Sequence, residues 1–383
     1  MALVVEHPTD RAALTELVTF HDEVYRTRRA WWGAFVPFQL PVLTGESPFV
    51  ADRRFHPLRV RDGERTLARV VAVIDERYQR HWRETIGHLV MFEALPDTRA
   101  AVRLLMDAAC EWLAAAGATA ARAGSGVLEF PFTIDAYEPL PPSWLRQNPA
   151  YYHALLKDAG FETEQGFVDY RIRVRPELVA RWESAVEAAR RAGYELTPLG
   201  EVPAARRAPE FTALWNESFA RHWGFTPFTE AEMALLLETF APVGMLDLSV
   251  FAFDRDGPVG GVWVVPDTSA FAHVAPGRAL DAAERLNVLG IGVRERARGR
   301  GVNMALAAYA YLELVRRGAT HVSYTLVLDD NWPSRRTGMG LGGELCANYL
   351  AYRRNLRRYQ PRELRRVPSS RRVEPREFVR MGV

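Results

Sequence analysis

Lysine is almost missing from this sequence: Lys157 is the only one among 49 basic residues. With its many alanines, this arginine bias fits a GC-rich bacterial coding sequence better than any binding need. Cysteine is equally scarce. Cys110 and Cys346 are the only two, and they sit in stretches that read as helix ("MDAACEWLAAAG") and strand ("GGELCANYLAY"). Two buried free thiols are therefore expected, with no disulfide framework. No ligand-spaced Cys/His cluster appears, so no metal is expected. Long apolar runs are lacking too: none approaches the roughly 20 residues that span a bilayer. The opening "MALVVEHPTDRAALTELV" has no basic segment followed by an apolar one. These absences favour a cytoplasmic protein with no membrane partner.

What is present is a chain of 383 residues, 48% hydrophobic, enough to bury a large core and better suited to two domains than one. Its net charge of +2 hides an asymmetry. Residues 353–383 hold 11 arginines against Glu363, Glu374 and Glu377, a local +8 that leaves the remainder at −6. A basic tail can dock on nucleic acid or an anionic surface. With few aromatics to stack bases, it reads more simply as a tail packed back on its acidic body, and nucleic acid is expected to bind weakly through it if at all.

The same plan runs through the chain twice. "FHPLRVRDGERTLARVVAVID" and "LSVFAFDRDGPVGGVWVVPD" alternate apolar and polar residues around Asp62-Gly63 and Asp256-Gly257, dipeptides suited to tight hairpin turns. Each is followed by an apolar strand, a turn, an amphipathic helix and Gly-Ala-Thr. Each half then closes with a short helix, a glycine and a last strand pair. An offset of about 180 to 200 residues is right for duplicated domains. The expected division is 1–175, a connecting helix and linker over 176–208, a second domain over 209–357, and the basic tail over 358–383. The fold class expected is mixed α/β, two tandem domains, each a twisted mixed sheet flanked by helices.

The segment "RERARGRGVNMALA", 294–307, joins the strand "LNVLGIGV" to a helix with apolar positions Met304, Leu306, Ala308, Tyr311, Leu312 and Val315. At a helix start the first amides lack partners and the dipole adds about half a positive charge, so a diphosphate is bound there by backbone. Glycines admit the phosphates where a Cβ would block them. An RNA-binding Arg-Gly tract would be repetitive and disordered; this one occurs once, between a strand and a helix.

Arg296, Gly299 and Gly301 fit the spacing [Q/R]-x-x-G-x-[G/A], which resembles the acyl-CoA loop of the GNAT N-acetyltransferase superfamily. Asn331 and Ser334, after "HVSYTLVLDDN", resemble the N-x-x-[AS] start of the helix flanking the pantetheine arm. The resemblance covers residues 209–357 and implies a tandem GNAT fold whose second half binds acyl-CoA, chiefly acetyl-CoA. Ile291, Val293, Arg296, Arg298, Gly299, Arg300, Gly301, Val302, Asn331 and Ser334 would hold it. A small-molecule or peptide amine would then be acylated by direct attack, in a monomer or homodimer. Many such enzymes carry a proton-donating tyrosine seven residues after that Asn; here the position is Gly338. A glutamate common on the strand before the loop is also missing, Asn287 being the only polar side chain of "LNVLGIGV". Tyr324, Ser334 and Tyr349 stand as substitute acids. The first half has an acidic "FEALPDTRAAV" where the loop would be, with Glu93, Pro96 and Asp97, and is expected to bind no CoA. Its aromatic loops, with Trp31, Trp32, Trp144 and Tyr151, read as substrate walls or interface packing. His88 and Glu93 read as core or surface groups, relics or catalytic residues. Two other readings remain open: a tRNA-dependent aminoacyl transferase of the Fem type, and an inactive ligand-binding protein.

Overall fold

The computed structural model describes residues 2–356; the basic tail over 358–383 lies outside the described residues. In the first half run β1 (Leu3–Glu6), α1 (Arg11–Tyr25), β2 (Ala30–Trp31), α2 (Val36–Leu43), β3 (Arg53–Asp62), β4 (Arg65–Asp75) and α3 (Glu76–Trp82). There follow β5 (Ile86–Ala94), α4 (Arg99–Ala115), β6 (Ala120–Ala123), β7 (Phe132–Thr133), α5 (Tyr152–Asp158) and β8 (Glu162–Arg173). Helix α6 (Pro176–Arg191) crosses to the second half, which opens with β9 (Glu195–Pro198), α7 (Ala204–Phe219), α8 (Glu230–Phe240) and α9 (Met245–Leu248). It continues through β10 (Val250–Asp254), β11 (Gly257–Val265), β12 (His273–Val274), β13 (Val288–Val293), α10 (Val302–Arg316), β14 (His321–Leu328), α11 (Trp332–Gly340) and β15 (Glu344–Asn355).

Local rules account for much of this. Asp10 caps α1 by accepting from the Ala13 amide, and Leu14, Leu17, Val18 and Tyr25 make its buried stripe at helical spacing. Thr229 and Glu232 close α8 with a reciprocal capping box. Both hairpins form, each turn displaced by one residue from its dipeptide. Asp62 pairs with Arg65 and Asp254 with Gly257, so the turns are Gly63-Glu64 and Arg255-Asp256. Bulges at Val60/Arg61 and Ala252/Phe253 absorb the shift.

The ends of the two halves depart from the sequence expectation. Neither closes with a strand pair of its own: β8 and β15 are single strands of 12 residues, and they pair with each other. Gly166 lies within β8, and the Asp329 carboxylate occupies the space a side chain there would take, so this glycine marks a close approach. The nine-stranded sheet runs β1-β3-β4-β5-β6-β15-β8-β14 with β7 on β15, and a second sheet runs β13-β11-β10-β9. The last strand of each half thus lies among strands of the other. The cores follow suit. Tyr352 of β15 is buried with the first-half residues, and Val168, Tyr170 and Ile172 of β8 with the second-half ones. Helix α6 belongs to the second core, where Trp182 is fully buried, lies tilted against the Tyr311 ring and donates to the Leu341 carbonyl.

The halves are also clamped by charge. Glu232 of α8 is fully buried and accepts from Arg53 and Arg77 of the first half, the latter at 2.6 Å. Arg53 also donates to Asp75 at 2.7 Å.

Candidate active site

Strands β13 and β14 adjoin without forming a ladder. Their lower ends are tied by side chains: Asn287 donates to the Ser323 carbonyl and accepts from its amide, and the Leu289 amide reaches the Thr325 hydroxyl. Asn287 therefore serves as a strand tie. Above Leu289 the strands part. The Leu289 amide faces β14, so by the period of two the Ile291 and Val293 amides face the same opening. On the other edge Ile291 pairs with Val262 and Val293 with Gly260.

The opening is fixed on the β14 side by Asp169 of β8. Leu326 has a left-handed φ of 52°, in a bulge where Tyr324 pairs with Tyr170 and Val327 with Val168. The Asp169 carboxylate accepts the Leu326 amide at 2.5 Å and the Tyr349 hydroxyl at 2.8 Å. Burial raises this carboxyl to about 7, against those two hydrogen bonds. A carboxyl raised in the folded state ionises first in the unfolded chain, from a pKa of about 3.9. Its contribution to stability is thus greatest below that value and declines as pH rises to about 7. Across that window wild type should lose on the order of a few kcal/mol relative to Asp169→Asn, read as the difference between their urea midpoints at pH 4.5 and 7.5. Parallel curves would refute it.

Beyond β13, Gly299 (φ 73°) and Gly301 (φ 79°) are exposed and nothing stands within 4 Å of where a Cβ would be. Gly301 begins α10 with no side-chain cap, so the first-turn amides are left to solvent or a ligand. Arg296 is turned to Asp254, and Arg298 donates to the Val293 and Ser218 carbonyls. Those guanidiniums brace the loop. Arg300 is exposed at its rim, and Val302 is buried in the core.

Between the halves lies a cavity of about 610 Å³. It reaches from Trp32, Phe35 and Trp144 of the first half to Gly290, Ile291 and Leu326 of the second. Tyr324, Asn331 and Ser334 also line it. Asn331 caps α11 through the Ser334 amide at 3.2 Å. The Tyr324 hydroxyl is 2.9 Å from Ser334 Oγ, and burial pushes it up to about 12, so the phenol stays protonated at neutral pH. A Cβ on Gly338 would stand 3.1 Å from the Tyr324 ring. The phenol reaching from β14 therefore fills the space over this glycine.

The third substitute acid is elsewhere. Tyr349 is buried against Asp169 and is not on the cavity wall. Of the aromatic candidates, Trp32 and Trp144 form wall. Trp31 stacks on His273 in the small β2–β12 pairing across the halves, and Tyr151 bonds the Ala94 carbonyl.

The first half's equivalent opening is plugged. Met91, at φ 56° on β5, donates its amide to Glu129 at 2.6 Å, and Arg146 holds that carboxylate at 2.7 Å. Glu93 is buried against His21 (3.0 Å) and Tyr152 (2.7 Å). Burial would raise it, but His21, Arg146 and Arg69 outweigh that and hold it at about 2. His88 is fully buried and bonded to the Ser125 carbonyl. A carboxylate already takes the amide that a thioester carbonyl would need.

Sequence reading missed the α7–α8 connection, residues 220–229. Its His222, Phe225 and Phe228 line the cavity. The aromatic run "HWGFTPF" is a visible signal, but without the fold it looks like any apolar loop.

No family model matches the chain. A protein of Caulobacter vibrioides named as a bacterial ceramide synthase is 25% identical over 207 residues, 53% of each chain. The chain thus spans about half the length of that curated relative. A solved tandem GNAT protein from the clavulanic acid biosynthesis pathway aligns over 94% of this chain and 100% of its own, with TM-score 0.57 and 13% identity. A GCN5-related N-acetyltransferase from Sphaerobacter thermophilus aligns over 93% and 96%, with TM-score 0.51 and 14% identity. The GCN5-related glucosamine N-acetyltransferase region of a fungal GH3 β-N-acetylglucosaminidase aligns at TM-score 0.54 and 16% identity over 92% of this chain, which covers 38% of that one. The fold is the tandem GNAT fold.

Proposed function

We propose that this chain is an acyl-CoA-dependent N-acyltransferase whose donor site lies in the second half. The observation carrying the reading is the junction of the β13–β14 opening, the uncapped glycine loop before α10 and the apolar cavity. A pyrophosphate at the loop would take the amides of 299–303. The pantetheine arm would pass Asn331, and the thioester carbonyl would accept from the Ile291 or Val293 amide. A metal has no part in this proposal.

An amine then attacks the carbonyl directly, and the C–S bond breaks as the tetrahedral intermediate collapses. Tyr324, kept protonated and linked to Ser334, is placed to return a proton to sulfur. Tyr324→Phe is expected to lower kcat on the order of 100-fold, and Ser334→Ala less, because water can replace the hydroxyl. Asn331→Ala should act on acyl-CoA affinity more than on kcat, since the arm is held alike in ground and transition states. Steady-state release of CoA thiol checks all three. A Tyr324→Phe variant within threefold of wild type would remove Tyr324 from the mechanism.

The cavity also bears on chain length. Acetyl-CoA presents two acyl carbons, and an aromatic chamber of about 610 Å³ is far larger than they need. We therefore put a long apolar chain on at least one substrate. The likeness to a protein named as a ceramide synthase supports this, a ceramide being an amide of a long-chain amine. The test is CoA release from acetyl-, octanoyl- and hexadecanoyl-CoA with short amines and with sphinganine. Turnover confined to acetyl-CoA with short amines would overturn the long-chain assignment. CoA binding with no transfer to any amine would favour the inactive binding protein.

A further inference from the structure

The connection over 220–229 is pinned to the first half at three places. His81 Nε2 donates to the Ala220 carbonyl at 2.7 Å, Trp82 Nε1 to the Phe225 carbonyl at 2.7 Å and Arg77 to the Pro227 carbonyl at 3.0 Å. Within it, the His222 amide donates to the Phe219 carbonyl, and the Phe225 amide to the His222 carbonyl. The segment is thus a braced turn, and it brings His222 onto the cavity wall. The His222 and Phe219 rings are 5.3 Å apart. Phe219 in turn lies against β13, where a Cβ on Gly292 would stand 3.2 Å from its ring. The imidazole is therefore one aromatic ring away from the strand whose amides face the donor opening.

Its hydrogen bonding sets its tautomer. Nδ1 is 3.2 Å from the Trp223 carbonyl, which can only accept, so Nδ1 carries the hydrogen and Nε2 the lone pair. Nε2 has no partner among the described residues. The other wall histidine, His21, faces acceptors with both ring nitrogens, Glu93 and the Trp32 carbonyl, and has no lone pair to offer when both bonds are made. Burial lowers His222 from the usual imidazole value, opposed by the Trp223 carbonyl and by Asp330, the carboxylate next to Asn331. The ring is neutral at physiological pH and ready to accept a proton.

The geometry points to His222 as the base that deprotonates the acceptor amine, an inference that rests on the N-acyltransferase reading above. The ammonium gives one proton to Nε2, and the exposed lone pair forms the N–C bond with the thioester carbon. Collapse of the intermediate breaks the C–S bond. The second nitrogen proton offsets the one delivered to sulfur, so one proton net leaves through His222 to solvent, and amide and free thiol are the products.

The test uses the full chain with hexadecanoyl-CoA and sphinganine. His222→Gln keeps a hydrogen-bonding side chain without the base, and His222→Ala leaves space for imidazole added to the buffer. Both should lower kcat on the order of 100-fold or more while leaving the CoA-induced thermal shift and the KM for acyl-CoA within twofold. Wild-type kcat/KM should show an acid limb below the ordinary imidazole range of about 6.5. The Gln variant should lose that limb, and imidazole should restore part of the Ala variant's rate. A Gln variant within threefold of wild type would overturn the assignment and leave the acyltransferase reading standing. Loss of CoA binding in both variants would assign His222 to structure alone. No transfer by wild type from acetyl-, octanoyl- or hexadecanoyl-CoA to either short amines or sphinganine, despite CoA binding, would overturn both the assignment and the function on which it rests.

Discussion

Glu232→Ala is expected to cost on the order of 3 to 5 kcal/mol of stability, the largest effect of any single substitution considered. The carboxylate is fully buried and accepts from Arg53, Arg77 and the Thr229 amide. Its removal leaves two guanidiniums without their shared partner at the seam between the halves. Arg53 keeps Asp75 and the Phe49 carbonyl, and Arg77 keeps the Pro227 and Ala51 carbonyls, which limits the loss without cancelling it. Glu232→Gln, of nearly equal volume, separates charge from packing and should retain only part of the stability. Glu46→Ala, which breaks the exposed pair with Arg11 at 2.6 Å, should cost under about 1 kcal/mol. Urea midpoints decide the matter. If the Glu232 and Glu46 variants lost equally little, charge would not be what clamps the seam.

The second large effect concerns the donor. Replacing Gly299 and Gly301 together by glutamate should weaken CoA binding at least 100-fold, or about 2.7 kcal/mol, while folding is largely kept. Each new side chain enters open space, so the structural cost is chiefly that of a non-glycine residue at positive φ, about 1 kcal/mol apiece. The functional cost is larger, because two carboxylates then stand where the phosphates must meet the α10 amides. Asp97→Ala, at the corresponding turn of the first half, should leave CoA affinity unchanged. Glu93 is unsuited to that control, since its carboxylate is bound by His21 and Tyr152 and its loss would disturb the first core. Calorimetric titration with CoA gives the answer. Binding lost on changing Asp97 and kept on changing the glycines would place the donor in the wrong half.

Much of this was legible because short-range rules carry it. The glycine loop, the Asn331 cap, the hairpins and the duplicated order all depend on residues a few positions apart. What escaped depends on distant partners. Nothing near Gly166 announces Asp329, 163 residues later, whose carboxylate fills the space of its side chain, and nothing local announces the pairing of β8 with β15. Tyr324 could be named but not placed, because its ring meets Gly338 and its hydroxyl Ser334 only once β14 and α11 are side by side. Tyr349 had equal standing in the sequence and is drawn off to Asp169 by the neighbouring strand. His222 drew no notice at all, since nothing local marks a histidine whose significance comes from a cavity between two halves.

The exchanged strands bear on how the protein is made. When a ribosome has delivered β1 to β8, the place between β6 and β8 is still vacant, and its occupant, β15, begins at Glu344. Two strand edges with bare amides and carbonyls must wait through the synthesis of some 170 further residues, a period in which pairing with a neighbouring nascent chain competes with the native outcome. Release of β15, and not completion of either half, is thus the event that closes this sheet. A stop codon before residue 344 would spoil the amino-terminal half as thoroughly as the carboxy-terminal one.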